Sequence, residues 1–383
     1  MIPSLAALLK SAERGWRALW IRVLTRLMRR AGPPGDLPAW GARPQRVLFL
    51  RHDRIGDMIL STGVIRAIAQ SAPTITLDVL ASPTNAPVLD GNPHVDSVIV
   101  FDRTKPRRYA GVVRRLRRAR YDAVIDCMPT APSLTTLLLI LASGARNRIG
   151  VAGRGNDAAF TLLVRPNPEA THIVDQLAAL ATAFGVDSGA TDFRPRLYLA
   201  KSEQAWAAET WRSGRGDAPG RRLLVNVSSG RAFRRWPDDR FIAAIQHARA
   251  RNPDLAVLVV GGPGEWDRAT AIATASGVPF VRTATLREAI ALVATADLVL
   301  TPDTGLAHAA SAFDRPAVVM HIRGTARQWG PYRSAGSVVS SPDGLLTSLP
   351  VHTVLAEVDR LIDCTAGPGE TSVESARIGH FVA

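Results

Sequence analysis

The sequence predicts an α/β protein of two units, each a parallel sheet covered by helices on both faces. Three observations carry that prediction. Short apolar runs alternate with segments of helical periodicity, the βαβα texture of parallel sheets. The alternation halts at a Gly-, Asp- and Pro-rich stretch, residues 213–220, and then begins again. A length of 383 residues suits two domains of ordinary size, each able to bury its own core.

The first 30 residues form an element of their own. Leu5, Leu8, Leu9, Trp16, Leu19, Trp20, Val23, Leu24 and Leu27 recur at helical spacing, with Lys10, Arg14, Arg17, Arg22, Arg26, Arg29 and Arg30 mostly off that stripe. Charges interrupt every apolar run, so neither a signal peptide nor a spanning helix is expected. Two tryptophans on a basic amphipathic helix fit the headgroup layer of an anionic membrane surface; the alternative is a helix docked on the protein itself. Gly32-Pro33-Pro34-Gly35 then breaks the helix and serves as a linker, closing this segment at residue 35.

The first unit is expected over residues 45–212. Strands are predicted at 47–50, 76–80, 97–101 and 123–126. After Gly56 and Asp57, Met58, Ile59, Leu60, Val64, Ile65 and Ile68 mark an amphipathic helix. Residues 103–120 hold nine Lys or Arg and no acid, a solvated helix face or a surface for an acidic acceptor. The apolar run 134–142 is too short to cross a bilayer and is a core helix. Residues 150–155 are assigned to a loop and 171–186, from His172, to a helix. The second unit, 221–345, alternates strands at 223–227, 256–260, near Phe280, 298–301 and 317–321 with helices at 238–250, 265–276, 286–295 and 306–313. A terminal helix at 350–364 and a loose tail at 365–383 complete the chain.

Composition narrows the partners. An apolar share of 46%, with 26 prolines and 30 glycines spread along the chain, excludes a disordered protein. A formal charge of +14 favours anionic partners, yet no RNP, KH, zinc-finger or heptad pattern supports nucleic acid. Cys127 and Cys364 are far apart and offer neither a CxxC pair nor a disulfide framework, which suits a reducing cytoplasm.

Ligands of open parallel sheets sit beyond the carboxyl ends of the strands, and two linked units imply a cleft between them. Four such loops carry chemistry. The first, Arg51-His52-Asp53-Arg54-Ile55-Gly56-Asp57, sets arginines beside carboxylates at a helix start; Asp57 is a general base or an ordinary first-turn aspartate. Ser228-Ser229-Gly230, leading to Arg234, offers hydroxyls and a guanidinium to a diphosphate. In Gly261-Gly262-Pro263-Gly264-Glu265 the glycines admit a ligand and Glu265 can accept from ribose hydroxyls. The fourth, TPDTGLAHAASA over residues 301–312, is a strand running into a helix. Its unpaired first-turn N–H groups and dipole suit an anion, Gly305 permits close approach, and Thr304 and His308 add a hydroxyl and an imidazole. The plain alternative is Asp303 or Thr304 as a helix cap and His308 as a packed residue.

As a set, RHDRIGDMILSTGVIRAI, HIVDQLAALATAFGV, NVSSGRAFRRWPDDRFIAAI, GGPGE and TPDTGLAHAASAF resemble the bacterial heptosyltransferases of glycosyltransferase family 9, in the family's order over residues 46–335. The resemblance implies the GT-B fold, two Rossmann-like domains with parallel sheets facing a central cleft, acceptor on the first and nucleotide sugar on the second. It implies inverting transfer of L-glycero-D-manno-heptose from ADP-heptose to a lipid-linked anionic saccharide of the lipopolysaccharide core, without metal or other cofactor. Asp57 takes the base position, Arg234 that of a lysine near the donor phosphates, and Glu265 the ribose contact. Asp303, Thr304, Gly305 and His308 match the donor motif, with Ser228 and Ser229 beside them. Arg51, Arg54 and Gly56 are the expected acceptor contacts. No DxD pair is present to hold a metal under the diphosphate, so positive groups must take its place. Such an enzyme would work in the cytoplasm, peripheral on the inner face of the inner membrane through residues 1–30. Two features depart from the family: arginine at 234, and His321-Ile322-Arg323 where a Phe-Gly-Pro type loop is common before Gly324-Thr325. The competing class is a noncatalytic nucleotide-binding protein or membrane-associated scaffold of the same fold.

Overall fold

A computed structural model describes residues 5–30, 39–128, 133–215, 220–364 and 380–382. The chain divides into two compact units. The first comprises Met1–Asp53, Gly63–Ala86 and Asn92–Phe193; the second comprises Arg54–Thr62, Pro87–Gly91 and Arg194–Ala383.

The first unit is built on six parallel strands: β1 (Gln45–Arg51), β2 (Ile75–Ala81), β3 (Ser97–Val100), β4 (Ala123–Asp126), β5 (Asn147–Val151) and β6 (Leu162–Val164). Their order is β3-β2-β1-β4-β5-β6, with Val47 in register with Leu77 on one side and Ala123 on the other. β1 is apolar on both faces because helices cover both. One core cluster joins Leu48, Leu50, Leu80 and Val124 to Leu116 of helix Tyr109–Ala119 and to Leu137 and Ile140 of helix Leu134–Ser143. The run 134–142 is thus a core helix, capped by Ser133.

Helix Leu5–Arg30 enters the same cluster through Leu24 and Met28, and the Met28 carbonyl accepts from Arg148 Nη2 at 3.2 Å. Its other face leaves Trp16, Leu19, Trp20, Val23 and Leu27 exposed. The helix therefore docks on the protein and still presents an apolar surface. The linker expected at residues 32–35 lies outside the described residues.

The second unit carries β7 (Arg222–Asn226), β8 (Ala256–Val260), β9 (Phe280–Val281), β10 (Leu298–Pro302), β11 (Ala317–His321), β12 (Gly336–Ser340) and β13 (His380–Val382), in the order β13-β12-β11-β10-β7-β8-β9, all parallel. Its core buries Trp236 edge-on to Phe241 at 4.9 Å, and the Trp236 indole N–H donates to the Leu349 carbonyl at 3.0 Å.

Three expectations are corrected. Helix Lys201–Arg215, assigned from sequence to the first unit up to residue 212, belongs to the second: Trp211 is buried there and its indole N–H donates to Thr295 Oγ1 at 3.0 Å. Residues 150–155, read as a loop, begin inside β5. The loose tail expected from residue 365 lies outside the described residues as far as 379, but His380–Val382 pairs with β12, because an open strand edge supplies unmet backbone donors and acceptors. Residues 216–219 of the expected linker also lie outside the described residues. Among the described residues no helix is long and apolar enough to cross a membrane. Cys127 is buried and Cys364 exposed.

Candidate functional site

A cavity of about 380 Å³ lies within the second unit. It is lined from three directions. Arg54, Ile55, Gly56 and Asp57 come from the start of helix Ile55–Ser71, Ser228, Ser229, Gly230 and Arg234 from the loop after β7, and Asp303, Thr304, Gly305 and His308 from the junction of β10 with helix Gly305–Ala312. Thr325 and Trp329, beyond β11, complete the wall. Nearly all the residues singled out from sequence thus meet in one place.

Thr304 occupies the N-cap position of helix Gly305–Ala312 but makes no side-chain cap bond. Its hydroxyl is held instead by Asn226 Nδ2 at 3.1 Å, and Asn226 also reaches Thr301 Oγ1 at 2.9 Å. No side chain hydrogen-bonds the first turn as a cap, so its N–H groups are not claimed by a capping side chain. Asn226 escaped the sequence reading. A buried asparagine closing an apolar strand, at Arg222–Asn226, is the signal that could have exposed it, since such a side chain needs partners.

Arg234 Nη1 donates to Asp303 Oδ2 at 2.7 Å, and both side chains are largely buried. Behind Asp303, fully buried His321 approaches the same carboxylate oxygen at 3.8 Å and shares Nδ1 with Thr325 Oγ1 at 3.2 Å. Burial holds the imidazoles of His308 and His321 below the ordinary histidine range, against the opposing pull of Asp303 on both and of Asp57 on His308. His308 is therefore a neutral imidazole at neutral pH, packed on the chain at Gly56: a Cβ on that glycine would stand 2.5 Å from His308 Cδ2. Gly305 serves packing too, for a Cβ there would meet Ile55 Cγ2 at 2.8 Å. The close approach expected of a ligand at Gly305 is made by Ile55.

The serines are engaged within the protein. Ser228 Oγ accepts from the Gly262 N–H at 2.5 Å, and Ser229 Oγ donates to the Arg231 carbonyl at 3.1 Å. Glu265 stands outside the cavity lining; its Oε2 accepts from the Ser229 N–H at 3.1 Å, joining the loop after β8 to that after β7. Asp57 is buried in the first turn of its helix, and Arg54 is exposed at the rim. Arg51 corrects an expectation. It is fully buried in the first unit, bonded through Nη1 to the Cys127 carbonyl and facing Asp53 from Nε at 3.3 Å, so it takes no part in the cavity. As the last residue of a strand covered on both faces, it can be buried only with its charge met.

Comparison with known proteins bears on this site. A sequence model described as "Glycosyltransferase family 9 (heptosyltransferase)" matches residues 110–349, more than half of the chain. The chain is 22% identical over 313 residues to the lipopolysaccharide core heptosyltransferase OpsX of Haemophilus influenzae, covering 79% of this chain and 86% of that protein. It is 23% identical over 343 residues to lipopolysaccharide heptosyltransferase 3 of Escherichia coli, covering 80% and 96%. Among solved structures it resembles a family 9 glycosyl transferase from Veillonella parvula (TM-score 0.74, 19% identity, 85% of this chain and 99% of that one). It also resembles E. coli heptosyltransferase WaaC with ADP (TM-score 0.66, 19% identity, 83% and 100%). Two Rossmann-like units with parallel sheets, these fold relatives and a family match over most of the second unit lead to one conclusion: the chain belongs to glycosyltransferase family 9 and is a glycosyltransferase of the GT-B fold.

Proposed function

We propose that the protein is an inverting, metal-independent glycosyltransferase that moves heptose or a related sugar from ADP-heptose, or a similar nucleotide sugar, to a lipopolysaccharide core or another anionic glycolipid. One observation carries the reading: a carboxylate, Asp57, and a cationic wall of Arg234 and an uncapped helix start line the same cavity. Inversion needs that pairing. Asp57 removes the proton of the acceptor hydroxyl, the freed oxygen attacks the anomeric carbon, and the bond to the diphosphate breaks with its electron pair leaving on phosphate oxygen. Arg234, oriented by Asp303, and the first-turn N–H groups of Gly305–Ala312 meet the charge that develops there. Glu265 serves the ribose. Arg54, at the rim, faces the acidic acceptor. The heptose donor and the lipopolysaccharide acceptor are supported by the named activities of the relatives.

Replacement of Asp57 by Asn tests the reading. Transfer should fall by roughly 10²-fold or more, the usual worth of a general base, while stabilisation of the protein by ADP against heating persists. Unchanged turnover would remove Asp57 as the base.

The exposed Trp16, Leu19, Trp20, Val23 and Leu27, flanked by exposed Arg22 and Arg26, support a cytoplasmic enzyme held at the inner face of the inner membrane. Because Leu24 and Met28 belong to the core, point changes test this better than truncation. A Trp16→Ala, Trp20→Ala variant should lose sedimentation with phosphatidylglycerol vesicles; equal sedimentation refutes the membrane role.

A further inference from the structure

The loops around the cavity leave neighbouring strands in a fixed sequence. Glu265 follows β8, Ser228 to Arg234 follow β7, Asp303 and Thr304 follow β10, and Thr325 and Trp329 follow β11; the sheet order there is β11-β10-β7-β8. Across those carboxyl ends lie three strand spacings, about 14 Å. A nucleotide sugar is itself linear: ribose, diphosphate, sugar. With ribose at the β8 loop and diphosphate at the β7 and β10 loops, as the proposed function has it, the sugar falls at the loop after β11.

Trp329 waits there. Apart from the His308 imidazole it is the one aromatic side chain among the described residues of a wall otherwise made of charged and small polar groups, Ile55 and glycines. The residue is partly exposed, and its indole N–H makes no hydrogen bond among the described residues. The loop around it is held firmly. Thr325 Oγ1 bonds His321 Nδ1 at 3.2 Å and the Ile322 carbonyl at 3.1 Å, and the Trp329 backbone N–H donates to the Thr325 carbonyl at 3.0 Å. Beyond it, the Tyr332 N–H donates to Ser311 Oγ at 3.2 Å, tying the loop to helix Gly305–Ala312. An indole carried on a backbone held in this way offers a flat apolar face and one donor with little ordering of the loop required. The C–H face of a pyranose and one of its hydroxyls match both.

We propose that Trp329 is the platform on which the transferred sugar lies, and that it sets the preference of the site for a sugar nucleotide over the bare nucleoside diphosphate. This rests on the donor-site reading above. Calorimetric titration of ADP and of ADP-heptose, without acceptor, into the full chain and its Trp329→Ala and Trp329→Phe variants tests it. In Trp329→Ala, affinity for ADP-heptose should drop about tenfold while affinity for ADP changes less than threefold, and Trp329→Phe should recover most of the loss. Equal loss for both ligands, or loss for neither, overturns the platform. Wild-type protein that binds neither ligand would overturn the donor site itself, and the platform with it. Unfolding temperatures of the three proteins show whether a loss comes from misfolding.

Discussion

Arg234 and Asp303 hold one another in place, so neither acts alone. Asp303→Asn leaves Arg234 without its carboxylate and should weaken ADP binding in concert with Arg234→Ala; measured by titration, the double variant should lose less than the two single losses combined. In the first unit, His52 and Asp126 make opposing pH predictions. Burial and the neighbouring Arg103 and Arg51 depress His52 to about 4, so its contribution to stability is full above pH 6.5 and is lost as pH falls toward 4. Burial raises Asp126 to about 6, against Arg51 and Arg154, so its contribution is full below pH 3.8 and is lost as pH rises through 6. Asp126→Asn should therefore raise the unfolding temperature by a few degrees at pH 7.5 and by none near pH 3.5. An equal shift at both pH values would show that its charge is not the cause. At this scale the sequence disclosed side-chain chemistry but not engagement. The arginines at 51 and 54 look alike in the chain, yet one is buried under a carbonyl and the other stands at the cavity rim.

Among the elements, strands whose apolar runs are pure were legible to within a residue or so: Ala123–Asp126, Ala256–Val260 and Ala317–His321 occur as expected. Four were missed among the described residues, β5, β6, β12 and β13: β6 is only three residues long, β12 is bounded by Gly336 and Ser340, and β5 carries misleading residues. β5 contains Asn147, Arg148 and Gly150, and the glycine that suggested a turn lies under the ring of Phe160. β13 owes its pairing to the edge of β12, a tertiary cause that local pattern cannot reveal. The N-terminal helix was legible as amphipathic, but one apolar stripe had to be divided between two uses, which periodicity alone does not do. Met28→Ala should cost about 2–5 kcal/mol of stability, as buried truncations do. Leu27→Ala, on the exposed face, should cost less than about 0.5 kcal/mol. Urea unfolding of both variants separates the two faces.

For the molecule as a whole, a charge of +14 predicts that attachment to anionic vesicles weakens with salt, since at about 0.15 M charges are screened beyond about 8 Å. Attachment that ignores salt would assign it to the tryptophans alone. The two-unit plan was legible because the βαβ alternation repeats; the seam was not, because helix Lys201–Arg215 is polar outside and joins the second core through one face. The order of strands in the second sheet also bears on how such an enzyme can change. Each stretch of the cavity wall hangs from its own strand, and residues more than about 7–10 Å apart without shared partners contribute independently. The loop after β11 is thus free to be rewritten without disturbing the loop after β8. On the donor arrangement proposed above, descendants of this chain, natural or engineered, would exchange the sugar by rewriting one loop while keeping the nucleotide.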